Sequence, residues 1–296
     1  MIPKNIFLFW KGDKTTLVDV CLERVRMFHP DFNVIIFNDN IETVDGYNSL
    51  SLQAQSDWVR LCAIEKYGGI WLDATIFLMK PVTEWVEMSK MRLQGFSAPF
   101  SDNCLESWAF AAPQNDQLVR AWKKEFKRAI EMGFDKFKED AQSFSLKNHE
   151  ILDHMPYLTI HGCYIIASKQ TNMTAIMAKS CDGPFKYLCT QGFESTKAID
   201  YLTREDIDVP LIKFRNDEKI VFSEIPYKEF LFISKYHKID TYNMYYTYVI
   251  VIYTSIIFVL ILSLFENSYY NLFAITFITI AVLAIEMASS LKIAQS

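Results

Sequence analysis

The first eighty residues alternate short apolar runs with longer stretches of helical period, and this alternation limits the fold more than any other feature. "NIFLFW" (5–10) and "FNVIIFND" (32–39) read as strands, the second followed by turn residues. Between them "TTLVDVCLERVRMFHP" reads as a helix stopped before Pro30. "SLQAQSDWVRLCAIEKYGG" (51–69) reads as a second helix, with Lys66 in its last turn and Gly68 just past its end. "IWLDATIFL" (70–78) reads as a third strand. Such a β-α-β-α-β order opens an α/β sheet with mostly parallel strands. Further strands are expected near 107–112, 157–166 and 209–214. No internal repeat interrupts residues 1–238, which read as one domain.

Composition narrows the class. Apolar residues make up 51% of the chain and aromatics 15%, which excludes a disordered chain. A formal charge of −5 gives no general pull towards nucleic acid. The basic run Lys123, Lys124, Lys127, Arg128 reads as a solvated helix face. The opening "MIPKNIFLFWKGDK" turns polar too soon for the apolar core of a signal peptide. With no C-x-x-C pair, the six cysteines read as reduced and mostly buried thiols.

Residues 239–296 differ from the rest. Residues 244–265 carry no charge over a bilayer-spanning length, and 269–291 hold a second apolar run with Glu286 near one end. Tyrosines 245, 246, 248, 269 and 270 sit where aromatic belts form. A two-helix transmembrane hairpin is the expectation. Lys235, His237 and Lys238 before it and Lys292 after it put both flanks, and the domain, on the cytoplasmic side.

A carboxylate in an apolar strand needs compensation, because a buried unpaired one costs several kcal/mol. Asp73 is such a residue. In open α/β sheets ligands bind outside the carboxyl ends of the strands. Trp10, Asn38, Asp39 and Asp73 all fall at or near such ends. Asp57 and Arg60 share a helical face at i, i+3 spacing. Gly68 and Gly69 permit close packing and a close backbone approach.

"SDWVRLCAIEKYGGIWLDATIFLMKP" (56–81) resembles the signature of the D-x-D sugar transferases of glycosyltransferase family 32. It is closer to their capsular polysaccharide synthesis relatives, in which D-A-T stands for D-x-D. "IPKNIFLFWKG", "SWAFAAPQND" (107–116) and "DGPFKYL" (182–188) resemble further family segments, so the likeness spans about residues 2–190. The resemblance implies a GT-A fold, Rossmann-like in its nucleotide-binding half. It implies transfer of a sugar from a nucleotide-sugar donor, with retention, to a glycan, glycolipid or lipid-linked acceptor. It implies that Trp10 stacks on the base, that Asp57, Arg60 and Gly69 bind the donor, and that Asp73 faces ribose or metal. Asp57, Arg60 and Asp73 are the catalytic set on this reading.

Thr75 stands where many relatives carry a second aspartate. A hydroxyl is a poorer ligand for Mn²⁺ or Mg²⁺ than a carboxylate. Either the metal is held weakly by Asp73, Thr75 and a late ligand such as His161, or a basic residue replaces it. Glu106 is a candidate on the acceptor side. The expected function is a membrane-anchored glycosyltransferase; the alternative is a non-catalytic scaffold that binds a nucleotide sugar or a glycan.

Overall fold

A computed structural model describes residues 1–143, 146–147, 149–204 and 207–224. The expected hairpin, 244–291, lies outside the described residues. Among the described residues no helix is long and apolar enough to cross a membrane.

The strands are β1 Asn5–Phe9, β2 Asn33–Phe37, β3 Gly69–Leu72, β4 Ile76–Leu78, β5 Gln94–Ala98, β6 Ser101–Ala112, β7 Ile176–Lys179 and β8 Leu211–Lys213. The helices are α1 Thr16–Phe28, α2 Leu52–Tyr67, α3 Gln117–Met132, α4 Phe134–Ser143, α5 Thr159–Thr171, α6 Lys186–Cys189, α7 Ser195–Arg204 and α8 Asn216–Glu224. The helix starts follow from side chains that satisfy free backbone donors. Thr15 accepts from the Val18 N–H, Ser51 from Ala54, and Asp116 from both Leu118 and Val119.

Six strands form one mixed sheet in the order β2-β1-β3-β6-β5-β7. β1 pairs parallel with β2 and β3, while β6 runs antiparallel to both β3 and β5. The chain therefore leaves β1 to one side through α1 and returns to its other side through α2. That reversal opens a crevice at the carboxyl ends of β1 and β3, where α/β sheets bind ligands. Because β6 is antiparallel, its middle residues reach the same end: the Asp73 N–H donates to the Trp108 carbonyl at 2.8 Å. The core around the sheet is aromatic, with Trp58, Trp71, Trp122 and Phe110 all inaccessible. Trp122 on α3 donates its indole N–H to the Ile160 carbonyl at 2.7 Å, fixing α5 against α3.

Three expectations need correction. The run 70–78 is two strands, not one. β3 belongs to the main sheet and β4 pairs only with β8, so the chain turns at Asp73-Ala74-Thr75. The run 157–166 is mostly helix α5, not strand. Its residues Thr159 to Ala167 are buried on every side, so no periodic polar face marks them as helical. Finally, Cys181 and Cys189 form a disulfide across a short turn, whereas Cys21, Cys62, Cys104 and Cys163 are free and buried.

The basic run on α3 is engaged internally. Lys123 reaches Glu42 at 2.7 Å and Glu65 at 3.3 Å, and Arg128 reaches Glu125 at 3.0 Å and Asp140 at 2.8 Å.

Candidate active site

The β3–β4 turn explains how an aspartate survives inside an apolar sequence. Asp73 stands at the open end of β3, flanked by cations from two distant parts of the chain. Its Oδ1 accepts from Arg60 Nη2 at 3.1 Å and from the Trp71 indole at 3.2 Å. Its Oδ2 accepts from Lys213 Nζ at 2.7 Å. Burial alone would raise its pKa, but the Lys213 and Arg60 charges outweigh that and hold the carboxyl well below the usual carboxylate range.

Arg60 is the hub. Its Nη1 donates to the carbonyl and hydroxyl of Ser107, each at 2.7 Å. Its Nη2 also reaches Ser56 Oγ at 3.2 Å and Asp57 Oδ1 at 3.1 Å. The guanidinium stands 5.2 Å from the Trp71 ring centroid. A rigid planar fork suits this task better than a lysine would. Asp57 is almost fully buried. Burial raises its pKa; Arg60 opposes the rise and the Asp73 charge adds to it.

These groups line a cleft of about 680 Å³. Trp10 is on its wall just beyond β1, as are Thr75, Glu106 and His161. Glu106 Oε2 and His161 Nε2 lie 3.1 Å apart, while His161 Nδ1 is buried with no partner among the described residues. The cleft thus brings together Trp10, Asp57, Arg60, Asp73, Thr75, Glu106 and His161. Gly69 is absent from its lining. It begins β3, at φ +126, and a Cβ there would lie 2.6 Å from the Asn5 carbonyl oxygen. Its role is packing against β1, so the expected donor contact through Gly69 is not what this geometry offers.

Lys213, Lys219, Ser107 and Trp108 are among the lining residues that the sequence did not single out as site residues. One signal was present. "VPLIKF" (209–214) sets a lysine in an apolar run, the mirror image of Asp73. The two charges pair across 140 positions.

A divalent metal at Asp73, Thr75 and His161 requires oxygen or imidazole lone pairs turned to a common point. Both oxygens of Asp73 are committed to cationic donors, and His161 is committed to Glu106. Among the described residues no group of three His, Cys, Asp or Glu side chains is placed to hold a metal ion. The residues present do not fit the expected Mn²⁺ or Mg²⁺ site.

A family model described as "capsular polysaccharide synthesis protein" matches residues 1–131, which contain Trp10, Asp57, Arg60 and Asp73. The chain is similar to capsular polysaccharide synthesis proteins. No curated protein matches it. Among solved structures, a glycosyltransferase involved in glycosylation of the major capsid of PBCV-1 is 13% identical, with 75% of this chain and 98% of that one covered at a TM-score of 0.38. The galactosyltransferase LgtC, with donor and acceptor sugar analogues, is 11% identical over 71% of this chain and 86% of its own, at 0.40. The apo form of the glycosyltransferase GlyE of Streptococcus pneumoniae TIGR4 is 8% identical over 80% and 64%, at 0.38.

Proposed function

We propose that the chain is a membrane-attached glycosyltransferase. It moves a sugar from a nucleotide donor to a glycan or lipid-linked acceptor in the synthesis of a capsular or related polysaccharide. The observation that carries this reading is the buried Asp57–Arg60–Asp73 cluster at the carboxyl ends of β1 and β3, inside the family-matched residues. Trp10, on the cleft wall at the end of β1, offers a ring for a nucleobase. Asp57 and Arg60 present fixed acceptors and donors for sugar hydroxyls, and positioning of this kind supplies much of the rate of such transfers. Glu106, steadied by His161, is proposed to face the acceptor.

Retention of configuration is proposed from the family resemblance. Attachment to the membrane, with the domain in the cytoplasm, is proposed from the uncharged stretch 244–265, from the apolar stretch 269–291 with Glu286 near one end, and from the lysines beside them. Holding the site beside a lipid-borne acceptor would raise the acceptor's effective concentration. The test is donor hydrolysis by the full chain in detergent, over a panel of UDP- and GDP-sugars. Release of one nucleotide, with the freed sugar's anomer read by proton NMR before it equilibrates, is the expected result. A chain that neither binds nor cleaves any donor contradicts the reading.

A further inference from the structure

Three cations, Arg60, Lys213 and Lys219, line the part of the cleft that holds two carboxylates, Asp57 and Asp73. Arg215 is held by Glu218 at 3.0 Å, Glu106 faces His161, and Lys11 and Asp217 are exposed and of opposite sign. Arg60 is shared between both carboxylates, and Lys213 gives one of its three N–H donors to Asp73. Lys219, on the first turns of α8, is half-buried, and among the described residues its Nζ has no hydrogen-bond or ion-pair partner.

We propose that Lys213 and Lys219 hold the diphosphate of the nucleotide donor and meet the leaving group's charge, in place of a divalent cation. The proposal rests on the transferase reading above. In the transfer the bond between sugar C1 and the diphosphate oxygen breaks, and its electron pair passes to that oxygen. The acceptor oxygen bonds to C1, and its proton goes to the departing diphosphate. Negative charge therefore grows where the two ammonium groups stand. Preorganised cations in a sheltered cleft stabilise such charge without reorganising. Lys213 is well placed for this. It lies across from Ile76, directly after the Asp73-Ala74-Thr75 turn, and its Nζ is locked by Asp73. The electrostatics agree with an anion-deficient site. Burial and the neighbouring Lys213 charge push the Lys219 ammonium down to about 8, a displacement that a bound diphosphate would reverse.

The experiment is equilibrium binding of UDP, GDP, CDP and dTDP, and of each parent nucleoside, to the full chain in detergent, first in EDTA and then with Mn²⁺. One diphosphate is expected to bind in EDTA, with Mn²⁺ changing its Kd by less than about threefold. Lys219→Gln is expected to weaken that diphosphate by about tenfold and to leave the nucleoside unaffected. Lys219 is the position to change because it has no partner among the described residues whose loss would disturb folding. Binding that appears only with Mn²⁺ overturns this proposal and leaves the transferase reading standing. A Lys219→Gln chain that binds the diphosphate as tightly as the parent does the same. No binding under any condition overturns both.

Discussion

His29 is nearly inaccessible and has both ring nitrogens engaged. Nδ1 lies 2.7 Å from the Val25 carbonyl, and Nε2 accepts the Val82 N–H at 2.9 Å. That pattern requires the neutral ring, since a protonated Nε2 has no lone pair for Val82. Burial lowers its pKa, opposed by the Val25 carbonyl and by Asp31. The folded state therefore resists protonation more than the unfolded chain does. Stability from this group is complete above about pH 6.5 and declines as pH falls from there towards the folded value. The prediction is a urea midpoint that drops between pH 7.5 and pH 5.5 by more in the parent than in His29→Gln. Equal drops would show that His29 does not gate the change. At the same scale, Asp57, Arg60 and Asp73 were legible as polar residues in apolar company. Lys213 carried the same signal, a charge in an apolar run, but its pairing with Asp73 was not legible, because no local pattern reports a partner 140 positions away.

The elements were most legible where several local signals coincide. β1, α1, β2 and α2 have apolar runs bounded by a cap, a proline or a glycine, and their order forces the β1–β3 crevice. α5 was misread because its sequence is apolar around the whole helix, and a short apolar run cannot be told from a strand by period. The break between β3 and β4 was hidden for a related reason: Ile76, Phe77 and Leu78 are as buried as Ile70, Trp71 and Leu72, although they join a different sheet. The α2–β3 junction gives a direct test. Gly69 has a left-handed φ, and a Cβ there would overlap the Asn5 carbonyl. Gly69→Ala should cost roughly 2–4 kcal/mol of stability, from backbone strain and a steric clash with β1. A thermal melt of the variant within about 1 °C of the parent would contradict that packing role.

For the whole molecule, the question is where the chain works. Two long apolar stretches predict that it sediments with membranes and is released by detergent but not by high salt or carbonate. Release by salt alone would make its attachment peripheral. The Cys181–Cys189 bond adds a second reading of place, because such bonds persist in oxidising compartments and open in the cytoplasm. A cytoplasmic domain predicts that all six cysteines are alkylated when cells are lysed into denaturant with a thiol trap. Only four alkylated thiols, matching the four free cysteines, would place the domain on the other side.

The cluster around Asp73 is the proposed seat of sugar transfer. Asp73→Ala would leave Arg60 and Lys213 short of a counter-charge, a loss of roughly 3 kcal/mol that confuses folding with chemistry. Asp73→Asn keeps the shape of the side chain and the hydrogen bond that its oxygen accepts from the Trp71 indole. The most direct measurement is the rate of nucleotide release from the cleaved donor by the parent and by Asp73→Asn, at a temperature where circular dichroism finds both folded. Asp73→Asn is expected to lose at least about a hundredfold in kcat/KM. A folded Asp73→Asn chain that turns over at the parent rate would remove Asp73, and the cleft built around it, from the chemistry.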